Sequence, residues 1–296
     1  MQNSKGPRFP DFLCIGAQKA GTTWLHRVLG QHPDVWLPPI KEIHYFDRLY
    51  RRKRQGDAKP SSLDTGRMEA VLRAIQWSLN SQLPMREKIE QISCLSKIGQ
   101  AQLTDEWYGT IFQMAPEASK CGEMTPEYAL LQDDGIQHIL SLQPKVKFIF
   151  ILRDPIERGW SHLRMDDHKG FASHLTLSQR ALRNSNYLIY SDYIPTIDCF
   201  RRYVSDENFL MLYFDDIIAR PEEVLRKSCE FIGLDHEWAG FEKINEPVHV
   251  GQAKVMEPDL YAIFCERMAP IYQRLLSLRN PIVESWYRRH YGNTPR

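Results

Sequence analysis

Apolar and polar positions along this chain separate strands from helices. Phe12 to Ile15 is a short unbroken apolar run, and after a glycine-bearing turn comes TTWLHRVLGQHP, in which Trp24, Leu25, Val28 and Leu29 recur at helical spacing. The pattern predicts strand, loop, helix. VKFIFIL, from Val146 to Leu152, is almost continuously apolar, as expected of a strand covered on both faces at the centre of a parallel sheet. RDPIERGWSHLRM follows it, with Asp154 as N-cap, Pro155 at the first helical position and Glu157 three residues past the cap, which sets a second strand-to-helix switch. Asn208 to Phe214 reads as another strand, and RPEEVLRKSCEFIGL as a helix ending near Gly233. From about 48 to 120, MEAVLRAIQWSLNSQ and MREKIEQISCL carry helical periodicity without a convincing strand, which predicts an inserted helical cap. PDLYAIFCERMAPIYQRLLSL, in the last third, is again amphipathic helix. Alternation of strand and helix implies a three-layer α/β/α fold with a central parallel sheet, read as one domain over 1–296.

Composition narrows the partners. The chain has 296 residues, 43% of them hydrophobic, enough to bury a large core. Lys and Arg number 38 against 37 Asp and Glu, so no global field draws the protein to nucleic acid or acidic membrane, and any anion must be caught locally. Six cysteines, at 14, 94, 121, 199, 229 and 265, form no C-x-x-C pair, which fits reduced thiols in a cytosol. MQNSKGPRFPDF has no apolar run, and no window approaches the roughly 20 apolar residues of a membrane helix. The expectation is a cytoplasmic protein without a membrane span. The ten histidines include no H-E-x-x-H, and His162 with His168 is a poor ligand spacing, so no metal is expected.

The chemistry concentrates in CIGAQKAGTTWL. Gly16 and Gly21 keep the glycine spacing of a Walker A loop, G-x-x-x-x-G-K-[ST], but Thr22 stands where the lysine belongs. The lysine is Lys19, inside the loop. Amides at the start of the Thr22 helix, its dipole and the Thr22 and Thr23 hydroxyls can still hold a phosphate. Lys19 would reach the bridging region of a phosphate-containing donor and neutralise a leaving group. The plainer alternative is a tight turn with a solvated lysine.

QKAGTTWL resembles the 5′-phosphosulfate loop of sulfotransferases that use 3′-phosphoadenosine 5′-phosphosulfate (PAPS). Lys19, Gly21, Thr22, Thr23 and Trp24 match it, and Gln18 replaces a frequent proline. The resemblance implies a P-loop NTPase-like core in which Gln18, Lys19, Ala20, Gly21, Thr22 and Thr23 hold the 5′-phosphate, Lys19 assists the leaving phosphate, and Trp24 lies near the adenine. Trp24 equally suits the buried face of its helix. ILRDPIERGWSHLRM is similar to the family's 3′-phosphate segment, with Arg153 ending a strand and Ser161 eight residues later. A guanidinium there can fork onto phosphate oxygens and a serine on the next helix can add a hydroxyl bond; the alternative pairs Arg153 with Asp154 or Glu157. In HVGQAKVM, Gly251 and Lys254 loosely match a loop that closes over the same phosphate.

PIKEIHYFD resembles the K-E-x-H-[FY]-F segment of the heparan-type branch. That implies Glu42 as base, Lys41 contacting donor or base, and His44 as the second candidate base; a surface ion pair and a packed histidine are the plainer readings. Trp107, Tyr108, Glu123, Thr125, Pro126 and Tyr128 resemble a further stretch of the carbohydrate-type branch, while Met124 replaces a lysine many of those enzymes carry, which argues against a sulfated or uronate-rich acceptor. RLYRRKR, 48–54, reads first as a solvated face diluted by Asp57 and Asp64, and second as an attractor of acidic acceptors. The resemblance implies a soluble, bacterial-like sulfotransferase of the heparan-sulfate or carbohydrate type. It would move a sulfuryl group from PAPS, in line and without a metal, to a hydroxyl or amine of a small-molecule, lipid or carbohydrate acceptor. The rivals are a P-loop kinase or NTPase and a non-catalytic nucleotide-binding module.

Overall fold

The computed structural model describes residues 6–55, 62–171, 174–238, 240–246 and 255–292. Five parallel strands form the central sheet: β1 (Phe12–Gly16), β2 (Val35–Trp36), β3 (Lys120–Met124), β4 (Lys147–Leu152) and β5 (Phe209–Tyr213), in the order β2-β3-β1-β4-β5. Every residue of β1 is buried, as is β4 after its first residue, so both sheet faces are covered by helices. The apolar runs anticipated β1, β4 and β5. They did not show β2, only two residues long, or β3, whose KCGEM carries a lysine and a buried glutamate.

The order of the strands places the site. After β1 the chain moves outward to β2 and β3, then returns to lay β4 on the other flank of β1, pairing Cys14 with Ile149 and Gly16 with Phe150. The carboxyl ends of β1 and β4 therefore flank a topological switch point, the crevice where open α/β sheets bind ligands. One end runs into the glycine loop and the helix Thr22–Leu29; the other runs into Arg153 and the helix Pro155–His168. Asp154 caps that second helix as expected, accepting from the Ile156 and Glu157 amides at 3.0 and 3.3 Å.

Between β2 and β3 stand the helices Phe46–Gln55, Ser62–Asn80, Met85–Gln100 and Asp105–Phe112, in the interval expected to be helical. The first of them joins the core: Phe46 and Tyr50 are buried, and Phe46 packs on Tyr108 and Tyr128. The C-terminal helices Pro258–Leu275 and Pro281–Tyr291 close on the switch point from the other side. Buried Asp154 takes hydrogen bonds from Tyr272 (2.5 Å), His290 (2.9 Å) and Arg289 (3.2 Å). Among the described residues no helix is long and apolar enough to cross a membrane.

Candidate active site

The glycine loop turns through two glycines with positive φ, Gly16 at 143° and Gly21 at 99°. A Cβ on Gly21 would come within 3.0 Å of Ile217 and 3.1 Å of Phe214, so both the backbone angle and the space demand glycine. Gly21 also stands as N-cap of Thr22–Leu29 without a side-chain cap, so the first amides of that helix are left to an anion. Lys19 itself is left-handed, φ 69°. Burial lowers its pKa, and the charges of Arg153, Lys169, Arg164 and Lys41 lower it further. Lys19, Lys41 and Arg153 at one loop make a site for an anion.

The place left vacant by the missing Walker lysine is filled from another segment. Lys41 Nζ lies 3.1 Å from Thr22 Oγ1 and 3.5 Å from Thr23 Oγ1, and donates at 2.8 Å to Glu42 Oε1. Its ammonium thus touches the hydroxyls of the phosphate loop and the candidate base at once. The other Glu42 oxygen faces His44 Nε2 at 3.6 Å, and His44 Nδ1 bonds Asp47 Oδ2 at 3.1 Å with Glu127 at 3.8 Å. The result is a row of alternating charge: Lys41, Glu42, His44, then Asp47 and Glu127. Burial raises the Glu42 pKa, but the bonds and charges of His44 and Lys41 outweigh it and hold the carboxyl at about 2. Burial likewise disfavours protonated His44, yet Asp47, Glu42 and Glu127 push it up to about 10. Glu42 and His44 both adopt left-handed backbone, φ 69° and 58°, a conformation costly for either residue and concentrated at functional sites. Arg67 holds the loop from outside by donating to the carbonyls of Ile43 (2.5 Å) and His44 (3.1 Å), and the Tyr128 hydroxyl takes the Tyr45 amide at 3.0 Å.

Arg153 lies across the crevice. Its guanidinium donates to the Lys19 carbonyl at 3.0 Å, stacks over Phe214 at 4.4 Å and pairs with Glu157 at 3.7 Å. Ser161, one turn beyond Glu157, shares that face of the helix. Trp24 is 5% exposed and its indole donates to the Ile244 carbonyl at 2.8 Å. Arg27 donates to the carbonyls of Lys243 (2.9 Å) and Glu246, so the segment leading toward the expected C-terminal loop is tied to the loop's own helix. Gly251 and Lys254 lie outside the described residues. Glu42, His44 and Glu127 bring three ligand-type atoms within 4.8 Å of one another; both His44 nitrogens already face carboxylates, so a metal ion would have to displace a proton there.

Two contributors escaped the sequence reading. Arg158 is fully buried, donates to Ser191 Oγ (2.7 Å) and the Tyr187 carbonyl (2.6 Å), and reaches the Gln18 carbonyl at 3.3 Å, so it fixes the loop from beneath. Glu127 holds Gln18 Nε2 at 3.2 Å while facing His44. Its only sequence signal was its place between Pro126 and Tyr128, inside the stretch that resembles the carbohydrate-type branch.

Comparisons with known proteins give the family and the fold. The model of a sulfotransferase family matches residues 10–239. Carbohydrate sulfotransferase 15 of Mus musculus is 33% identical over 171 residues, 55% of this chain and 28% of that protein, so the chain spans little more than a quarter of that relative's length. Membrane-associated sulfotransferase kil1 of Dictyostelium discoideum is 21% identical over 90% of this chain and 65% of that protein. Among solved structures, a sulfotransferase from Alicyclobacillus acidocaldarius superposes with a TM-score of 0.66 at 20% identity, covering 95% of this chain and 99% of that one. The sulfotransferase domain from the curacin biosynthetic pathway superposes at 0.52 and 17% identity, over 86% of this chain and 78% of that one. Both share the fold.

Proposed function

This chain belongs to the sulfotransferase family, and from that premise we propose that it transfers a sulfuryl group from PAPS to a hydroxyl of a carbohydrate acceptor. The observation that carries the reading is the position of Lys41, joined to the two phosphate-loop hydroxyls and to Glu42 together. PAPS supplies an activated sulfuryl group and a phosphate that can leave. In this reading the Gly21–Thr23 amides and hydroxyls bind the 5′-phosphate, Lys19 neutralises the charge growing on its bridging oxygen, and Arg153 with Ser161 binds the 3′-phosphate.

Glu42 takes the acceptor hydroxyl's proton as the acceptor oxygen bonds to sulfur and the sulfur–phosphate oxygen bond breaks. A carboxyl held at about 2 is a weak base. When Lys41 turns wholly onto the donor's charge, Glu42 loses its nearest cation and its proton affinity rises, so the base strengthens only once the donor is in place. The names of the mammalian relatives, carbohydrate sulfotransferases, support the acceptor class.

Titration calorimetry with 3′-phosphoadenosine 5′-phosphate (PAP) and with AMP tests the donor half. PAP should bind at least about tenfold more tightly, and Arg153→Ala should remove that gap, because the charged hydrogen bonds at stake amount to about 1.5–3 kcal/mol. Equal affinity of the wild-type protein for the two nucleotides would overturn the assignment.

A further inference from the structure

A cavity of about 230 Å³ opens beside the charged row. Asp47, Arg51 and Arg54 line it from the helix Phe46–Gln55, where their spacing of four and three residues sets them on one face. Glu127 and its neighbours Leu130 and Leu131 line it from the turn after β3, and the Tyr190 ring, backed by Arg158 and His162, completes the wall.

Charge in this cavity is ordered by depth. The Asp47 and Glu127 side chains are 7% and 14% exposed, against 39% and 49% for Arg51 and Arg54. The inner end is acidic and the mouth basic. Each inner carboxylate has one oxygen in use, Asp47 Oδ2 on His44 and Glu127 Oε1 on Gln18. Asp47 Oδ1 and Glu127 Oε2 are buried without a hydrogen-bond partner. Buried acceptors left unpaired are costly, and a ligand that brings hydroxyl donors removes that cost. At the mouth the two guanidinium groups make long ion pairs among the described residues, Arg51 with Asp47 at 3.8 Å and Arg54 with Asp134 at 4.0 Å, both too long for a hydrogen bond.

We infer that this cavity is the acceptor subsite and that it selects a sugar ring bearing an anionic substituent, with ring hydroxyls on Asp47 and Glu127 and the anion on Arg51 and Arg54. The inference rests on reading the adjoining Glu42 and His44 as the transfer site. It revises two sequence expectations. Arg51 and Arg54 of the basic run line a cavity instead of forming a merely solvated face, and they supply the positive charge that Met124, fully buried in β3, does not. The volume lies below the roughly 300–1,000 Å³ of drug-sized pockets, which suits one ring and not a long stretch of chain.

Three methyl β-D-glucosides that differ only at carbon 6, carrying a hydroxymethyl, a carboxylate or a sulfate ester there, test the inference by calorimetry on the protein saturated with PAP. At least one anionic ring should bind about tenfold or more tightly than the neutral one, and which of the two does so separates carboxylate from sulfate recognition. The double variant Arg51→Gln, Arg54→Gln should lose that preference, while Glu127→Gln should weaken all three rings together. PAP affinity should be unchanged in the double arginine variant, which distinguishes a failed acceptor subsite from a failed donor site or a misfolded protein. Equal binding of the three rings, binding of none, or a preference that survives loss of both arginines overturns it.

Discussion

Two corners of this site are built in opposite ways. The corner after β4 is regular: a buried strand ends, Asp154 caps the next helix, and Arg153 sits between them with its charge fixed by Phe214, Glu157 and the Lys19 carbonyl. The corner around Glu42 is an irregular loop with two left-handed residues, held in shape by Arg67 and Tyr128 reaching in from other elements. A permanent charge that anchors a ligand needs only a rigid mount, and a strand with a capped helix provides one locally. A group that must gain and lose a proton needs neighbours of both signs within about 4 Å, and a loop can gather those where no regular element can. In the proposed mechanism the first corner binds the donor and the second handles the proton.

The largest expected effect separates those roles. Glu42→Gln keeps the shape of the side chain and removes its basicity, so turnover should fall on the order of 10³-fold, within the range for loss of a general base. PAP affinity should hold within about twofold, because in the proposed mechanism the anion contacts lie on Lys19, Thr22, Thr23 and Arg153 and stay in place. Turnover with labelled donor and PAP calorimetry on one preparation check both halves. A variant that keeps full turnover would move the base role to His44.

Next in size is a stability effect confined to the other corner. Asp154 binds two amides, Tyr272, His290 and Arg289, at 2% exposure, so Asp154→Ala should cost about 3 kcal/mol or more in denaturant unfolding by stranding buried donors and two basic groups. Glu42→Gln should cost far less, since that cluster is partly exposed. Similar losses in the two variants would erase the distinction between a structural mount and a chemical loop.

The same contrast governs what the sequence made legible. β1, β4, β5 and the Asp154 cap are encoded by contiguous residues, so periodicity and capping rules reach them. β3 escaped because Glu123, hydrogen-bonded to Tyr108 at 3.0 Å, interrupts the apolar run with a charge that only tertiary contact satisfies. Lys41, Glu42 and His44 could be singled out through the segment PIKEIHYFD, but the bond from Lys41 to Thr22 spans 19 residues and depends on backbone angles no local rule requires. Arg158 had no signal to set it apart from Arg164 in the same helix, because its burial goes with hydrogen bonds to Ser191 and the Tyr187 carbonyl, which are distant in sequence. Asp47 ends the segment PIKEIHYFD and Glu127 lies between Pro126 and Tyr128, yet their pairing through His44 joins positions 80 residues apart.

The last expected effect is read as a slope and probes the loop by pH. The His44 pKa stands near 10, above its ordinary 6.5, so His44 contributes stability that is complete below about 6.5 and is lost as pH rises through 10. Glu42 works in the opposite sense: held at about 2, below its ordinary 4.5, it contributes above 4.5 and fades as pH falls toward 2. Both contributions are whole only between about 4.5 and 6.5. Wild-type unfolding free energy, followed by urea denaturation from pH 6 to 10, should fall relative to His44→Gln by at most about 1.4 kcal/mol per pH unit, the value for one proton. The variant has no ring to deprotonate and leaves Asp47 and Glu127 without their cation, so its alkaline limb should be the flatter of the two. Parallel curves would mean that His44 carries no excess proton affinity, and the alternating row from Lys41 to Glu127 would lose its central cation.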